Sequence, residues 1–259
     1  MAKPSFKIMI IIVALLLLNK WEFFPGITRS MDTCKLPAPN KKIALSFDDQ
    51  VHIPRWNESM SYFEEYNVHA TFYIDRQNSL SEEDYATLHH FVEVGHEIGL
   101  HTLEHKSLAD HLNNGGVENE WFEQQVIPSM QIMEQQGFEI ESFSYPFGER
   151  TIESDKLIHS IIPVLRGVEG NPKGAENYYT FCSDKSVYGA INIADGRDNL
   201  EVALSIIQNQ EIGTLLVYAH NINGTGDSIS HHNLVQLFET ANHHGWEFIL
   251  MKDLAIASD

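Results

Sequence analysis

The chain has 259 residues, 43% of them hydrophobic and 20% charged, enough for one well-filled globular domain and too mixed for a disordered or low-complexity protein. Its 36 acidic against 17 basic residues give a formal net charge of -19. That argues against a nucleic acid as partner, because a polyanion needs a basic footprint; neutral or cationic ligands suit the surface better, and much of it is simply solvated.

Lys3 and Lys7 precede an unbroken apolar run, Ile8–Leu18. The run is shorter than the roughly 17 residues a membrane span needs and fits the apolar centre of a signal peptide. No small-x-small cleavage site follows it, and Trp21, Phe23 and Phe24 suit a membrane interface. Residues 1–24 are read as a signal peptide or a signal anchor. The protein is expected to be exported (periplasmic, cell-surface or secreted), with membrane attachment through residues 8–18 left open. Residues 25–41, with Pro25, Pro37 and Pro39, read as a linker, and 42–259 as one domain. Cys34 and Cys182 leave two readings, one disulfide or two structural thiols.

From Lys42 on, strand and helix patterns alternate. Ile43–Phe47 is a predicted strand, Asn57–Tyr66 a helix and Ala70–Ile74 a strand. Ser81–Val94 opens Ser-Glu-Glu-Asp, a helix start with Ser81 as N-cap. Strand Glu97–Leu100 follows, then a long amphipathic helix, Glu118–Gln136, stopped by Gly137. Glu141–Tyr145, Val164–Val168 and Val187–Ile193 are further strands. Helix Asn199–Gln208, strand Thr214–Ala219, helix His232–His244 and strand Trp246–Met251 complete the chain. Seven or eight such units predict an α/β fold, a distorted, mainly parallel (β/α) barrel of about seven strands with right-handed crossovers. In such barrels the chemistry lies at the C-terminal strand ends.

Those ends are where the charged residues fall. The strand Lys42-Ile-Ala-Leu-Ser-Phe-Asp48-Asp49 stops in two adjacent carboxylates, which raise each other's pKa unless a cation or a division of labour intervenes. On an extended chain the two point different ways, so one can bind a metal while the other faces a substrate. The strand Glu97–Leu100 ends in His101-Thr-Leu-Glu-His105, and a carboxylate with two imidazoles is a three-ligand catalytic metal set with one position open. Tyr145-Pro-Phe-Gly148 and His220 follow two other strands. Each feature alone has a plainer reading: an Asp pair as a turn or cap, a His-x3-His as a chance helix face, His220 as a rim histidine. Their meeting on one rim favours a metallohydrolase. His96 opens its strand and is read as structural; His89-His90, His231-His232 and His243-His244 are read as surface residues.

The residues also resemble the polysaccharide deacetylase (NodB-homology) family, carbohydrate esterase family 4, from about Lys42 to Leu254. Ser46-Phe-Asp48-Asp49 is similar to its first motif. Gly95-His-Glu-Ile-Gly-Leu-His101-Thr-Leu-Glu-His105 is similar to its second, the most specific of the set. Ser144-Tyr-Pro-Phe-Gly148 is similar to the third, and Leu215–His220 to the last. The resemblance implies Asp49, His101 and His105 as metal ligands, Asp48 as the general base and His220 as the acid that protonates the departing amine. It also implies the Phe147 N–H as an oxyanion donor beside Tyr145. The chain departs from the family in two places. Ser144 stands where many members have an arginine that orients the base, and Arg166 on the next strand could reach the same carboxylate or grip substrate. The fourth motif is not clearly present, and Asp195 or Asp198 could orient His220.

The expected activity is metal-dependent removal of N-acetyl groups from a sugar or polysaccharide. Zinc is the default metal, and cobalt, nickel or iron suit the same ligands. Two other readings stand beside it: an O-acetyl esterase on acetylated glycans, and a catalytically silent glycan-binding barrel.

Overall fold

The computed structural model describes residues 27–28, 41–168, 187–209 and 213–256. The run Ile8–Leu18, both cysteines and all of the linker but Ile27, Thr28 and Lys41 lie outside the described residues. Among those described, no helix is long and apolar enough to cross a membrane.

Seven parallel strands close on themselves: β1 (Lys41–Asp48), β2 (Thr71–Ile74), β3 (Glu97–Leu100), β4 (Ser142–Ser144), β5 (Val164–Val168), β6 (Val187–Asn192) and β7 (Gly213–Ala219), with β7 pairing back to β1. An eighth parallel strand, β8 (Glu247–Ile249), takes the β1 edge at residues 42–44, below the stretch 46–48 where β2 takes over. This is the (β/α) barrel that the alternating pattern predicts.

Because strand side chains alternate, one parity of each strand fills the barrel and the other faces the helices. Outward residues such as Ile43, Leu45, Phe47, Phe72, Ile98, Phe143 and Val217 form the main core with the helices. A smaller interior cluster holds Ala44, Tyr73, Val164, Tyr188, Leu216 and Tyr218, closed from below by Met251 and Leu254. At that lower end buried Glu97 accepts hydrogen bonds from Thr71 Oγ1 (2.7 Å), Ser142 Oγ (2.6 Å) and the Lys252 N–H (3.0 Å). Continuing the same inward parity upward gives Asp48 after Ala44 and Ser46, Arg166 after Val164, His101 after Glu97 and Gly99, and His220 after Leu216 and Tyr218. Strand register alone therefore collects these four side chains above the interior cluster. Gly99 is required for closeness: a Cβ there would meet Tyr73 at 2.4 Å and Ser142 Oγ at 2.8 Å.

Local departures from the sequence expectation have identifiable causes. The helix expected over Asn57–Tyr66 is two helices, Ile53–Glu58 and Met60–Tyr66, parted at Ser59, whose hydroxyl donates back to Arg55 O (2.8 Å). The long helix contains a π-turn, Phe122–Val126, where Ile127 N bonds Phe122 O; it lies just before Pro128, which has no N–H to offer the ladder. Two short helices, Leu108–Asn113 and Ile152–His159, were not anticipated, although Ser107 and Thr151 cap them. Helix Glu82–Glu93 begins at the expected Ser81, with a full capping box to Asp84.

Candidate metal centre and cleft

The C-terminal strand ends open into a cleft of about 520 Å³ lined by Asp48, Asp49, His52, His101, His105, Tyr145, Phe147, Arg197, Tyr218, His220 and Asp227, among others. Backbone strain concentrates around it. Of seven non-glycine residues with positive φ among those described, Asp49 (76°), Thr102 (71°), His105 (54°) and Phe147 (59°) belong to the loops that build the site.

The turn at Asp49 modifies the expectation that the two carboxylates diverge. Positive φ swings Asp49 back over the barrel, so both acids line the same cleft. Asp49 Oδ1 lies 3.4 Å from His105 Nε2 and 3.7 Å from His101 Nε2, and the three potential ligand atoms lie within 4.8 Å of one another. His101 Nδ1 donates to the Ser144 carbonyl (2.7 Å), so its proton is on that side and Nε2 keeps its lone pair for the cleft. Burial lowers the His101 pKa to about 4 and lowers that of His105, which keeps both rings neutral. His105 sits in a loop, not on a helix face: its N–H donates to Thr102 Oγ1 (3.1 Å), and its ring meets Phe147 edge-on at 4.7 Å.

Asp48 is built differently. Its Oδ2 accepts from Arg166, which also donates to Ser144 Oγ, the registered neighbour of Arg166 on β4. Its Oδ1 has no hydrogen-bond partner among the described residues. Burial pushes the Asp48 carboxyl up, but Arg166, His101 and His220 together outweigh it and hold the group below the usual carboxylate range. Asp49 goes the other way. Burial, reinforced by Asp48 and Asp75, pushes it up to about 6. The pair is thus electrostatically divided, as adjacent like charges require.

His220 points its Nε2 toward Asp49 Oδ2 at 4.0 Å and its Nδ1 toward Asp227 Oδ2 at 3.8 Å. Neither Asp195 nor Asp198 lines the cleft. Asp195 instead accepts from Ser230 N (3.0 Å) and Asn233 Nδ2 (2.9 Å), at the start of helix His231–His243. Asp227 was not legible because it reaches His220 only through a chain reversal, in which the His220 and Asn221 N–H groups both donate to Asp227 O. It is itself held by Arg197 (2.6 Å). His52 is a second cleft residue that motif reading passes over, although its place just beyond Asp48-Asp49 is signal enough on the rim rule.

Tyr145 contributes its body and not its hydroxyl, which donates to Asp155 (2.9 Å) while the ring stacks on Trp121. Phe147 stands in the loop Pro146–Gly148, half-exposed. The loop's backbone bonds run from Gly148 and Glu149 to Tyr145 and Pro146, and the Phe147 N–H takes no part in them. His96 is a packing residue, buried among Phe63, Phe72 and Phe91 and accepting from Ala70 N (3.1 Å). Two of the surface histidines are more engaged than expected: His89 stacks on Phe138 at 4.3 Å, and His231 Nε2 lies 3.0 Å from Ser59 Oγ.

Residues 35–161, which carry Asp48, Asp49, His101, His105, Tyr145 and Phe147, match the polysaccharide deacetylase family. Over these residues the chain is a member of that family. Arg166 and His220 lie beyond the matched stretch. No curated protein matches the chain. Among solved structures, the fold is similar to the peptidoglycan deacetylase PdaC of Bacillus subtilis, at 16% identity and a TM-score of 0.55 over 85% of this chain and 92% of that one. A family 4 acetyl xylan esterase of Clostridium thermocellum, in complex with a cobalt ion, gives 19%, 0.53, 83% and 90%. A pseudoenzyme of carbohydrate esterase family 4 from Bacillus anthracis gives 15%, 0.53, 84% and 66%. A deacetylase, an esterase and a pseudoenzyme on one barrel mean that the polysaccharide deacetylase fold does not by itself choose among the readings.

Proposed function

We propose that the protein is a metal-dependent carbohydrate deacetylase, exported and acting on an N-acetylated sugar or polysaccharide with release of acetate. The observation that carries the reading is the convergence of Asp49 Oδ1, His101 Nε2 and His105 Nε2 beside a separately held carboxylate, Asp48. The donors suit a divalent cation: Asp49 Oδ1 is buried without a hydrogen-bond partner among the described residues, and two neutral imidazoles stand against it. Two nitrogens and one oxygen favour zinc, with cobalt, nickel or iron able to take the same set. Such an ion supplies Lewis acidity toward the acyl oxygen and acidifies a water.

The chain's own groups carry the proton movements. Asp48, ionised by Arg166 and free at Oδ1, takes a proton from the water as its oxygen bonds to the acetyl carbon. The Phe147 N–H donates to the carbonyl oxygen as negative charge develops there. His220 gives a proton to the sugar nitrogen as the C–N bond breaks, leaving acetate and the free amine. Tyr145 and Phe147 wall the cleft against the saccharide.

One observation favours esters as a second substrate class. His220 Nδ1 has no hydrogen-bond acceptor among the described residues, its nearest carboxylate standing 3.8 Å away, and an alkoxide needs less help in leaving than an amine. A silent glycan-binding barrel is disfavoured by the retained Asp48–Asp49 pair, which costs stability without serving a binding surface.

Acetate release from a panel of N- and O-acetylated saccharides, with chelated protein and then with zinc restored, tests the reading. Zinc-dependent acetate from an N-acetyl sugar is expected. Absence of bound metal, or stoichiometric zinc with no acetate from any substrate, would overturn it.

A further inference from the structure

Phe147, on the cleft wall, is one of three exposed apolar side chains linked through a single short strand. Phe147, Ile152 and Val117 are 54%, 65% and 50% exposed. The chain links them: Phe147 lies three residues before the short strand Arg150–Thr151, Ile152 follows it directly, and Thr151 Oγ1 donates to Glu118 (3.1 Å), the residue after Val117. Ile27–Thr28 pairs antiparallel with that same strand. The apolar run Ile8–Leu18 ends nine residues before Ile27, and a chain of that length spans at most about 30 Å. The described segment that follows this run is thus attached beside the cleft, at the end of the barrel opposite the one plugged by Met251 and Leu254.

The carboxylates around these side chains are engaged within the protein. Glu118 accepts from Thr151, Glu149 from Ser107 Oγ (2.5 Å) and Ala109 N (3.2 Å), Asp155 pairs with Arg150 and Glu153 with Lys156. Burying apolar side chains at a headgroup layer is favourable, but three of them supply orientation more than affinity, which the apolar run would provide. The net charge of -19 makes zwitterionic headgroups the compatible surface.

We propose that this rim rests on a phospholipid bilayer held by the run 8–18, so that the cleft opens toward the headgroup layer and takes acetylated saccharides carried on a lipid at that surface. The orientation rests on the export reading, and the substrate class on the deacetylase reading. The test uses the full chain with Cys34 and Cys182 changed to serine and a single fluorophore-labelled cysteine introduced by Ile152→Cys, or by Glu139→Cys at the entry to β4 on the opposite end. Each protein is bound to phosphatidylcholine vesicles carrying a headgroup-proximal spin-labelled lipid. Quenching roughly twofold or more greater at 152 than at 139 is expected. Equal quenching, none at 152, or failure to bind the vesicles would overturn the orientation. So would a label at 152 shielded from aqueous iodide yet unquenched by lipid, since a protein surface would then cover the rim. This readout needs no turnover, so it stands even if the deacetylase reading fails. For the substrate class, Val117→Ser/Ile152→Ser should lower kcat/KM several-fold for an N-acetyl saccharide on a vesicle lipid and leave the free saccharide unchanged. An equal loss on both would overturn that part.

Discussion

Arg166 reaches from β5 to Oδ2 of Asp48 on β1 while its guanidinium carbon lies 4.4 Å from the centroid of the Tyr218 ring. The arginine is 1% exposed, its other nitrogens find no acceptors among the described residues, and aromatic faces cover it instead. Sequence alone allows it either Asp48 or the substrate as partner; in the fold it is committed to Asp48. Arg166→Ala leaves a buried carboxylate without its cation, which costs about 3 kcal/mol or more. Its carboxyl then loses the largest influence holding it down. The variant should melt earlier in urea and retain about a hundredth of the acetate release, a loss typical of a disabled general base. Arg166→Lys keeps the charge but not the fork and should fall between. A folded Arg166→Ala protein with full activity would refute the assignment.

Removing the proposed base and removing a proposed ligand should separate cleanly. Asp48→Asn keeps the shape of the site and spares Asp49, His101 and His105, so metal content should stay near one per chain while turnover drops about a thousandfold. His101→Ala removes both an Nε2 donor and the bond to Ser144 O, and should lose metal and activity together. Elemental analysis of dialysed proteins alongside acetate release checks both, and tight stoichiometric metal in His101→Ala would refute the ligand set.

Asp227 is the carboxylate nearest to His220 Nδ1, and Arg197 holds it back at 3.8 Å. If it positions the imidazole, Asp227→Asn should slow hydrolysis of an N-acetyl sugar about tenfold. An O-acetyl ester, which demands less of the acid, should be affected far less. Equal loss on amide and ester would mean that Asp227 only supports the loop.

The strands were readable because a fully buried strand is an apolar run, and among the described residues helices separate most of the seven. The rim followed from parity: Asp48, His101 and His220 continue the inward series of their strands. Two things escaped. The positive φ at Asp49 reverses the expected divergence of the two carboxylates, and nothing in Phe-Asp-Asp-Gln signals it. Asp227 depends on the loop after β7 folding back on His220, whereas Asp195, nearer to a recognisable motif, is occupied at a helix start. Positions that follow from strand alternation were legible; that of Asp227, delivered by a loop reversal, was not.

His96 offers a measurement away from the cleft. Burial, and then the neighbouring His69, pulls its pKa down to about 4 from 6.5. The unfolded chain therefore binds more protons than the folded one between these values. The stability conferred by keeping the ring neutral is complete above about pH 6.5 and is lost as pH falls toward 4, with a span on the order of 3 kcal/mol. His96→Gln removes the titration while offering an amide oxygen to the Ala70 N–H that the ring now satisfies. At pH 7.5 the variant should be less stable by about 1 kcal/mol or more, through poorer packing among Phe63, Phe72 and Phe91. Between pH 6.5 and 4.5 its stability should fall less steeply than that of the parent. Asp49, with its raised pKa, and His101, with its lowered one, contribute equally to both proteins, so the difference between the two urea-unfolding series isolates His96. Parallel series across this range would show that the ring is protonated in the fold without penalty, and that its burial among the phenylalanines does not govern acid stability.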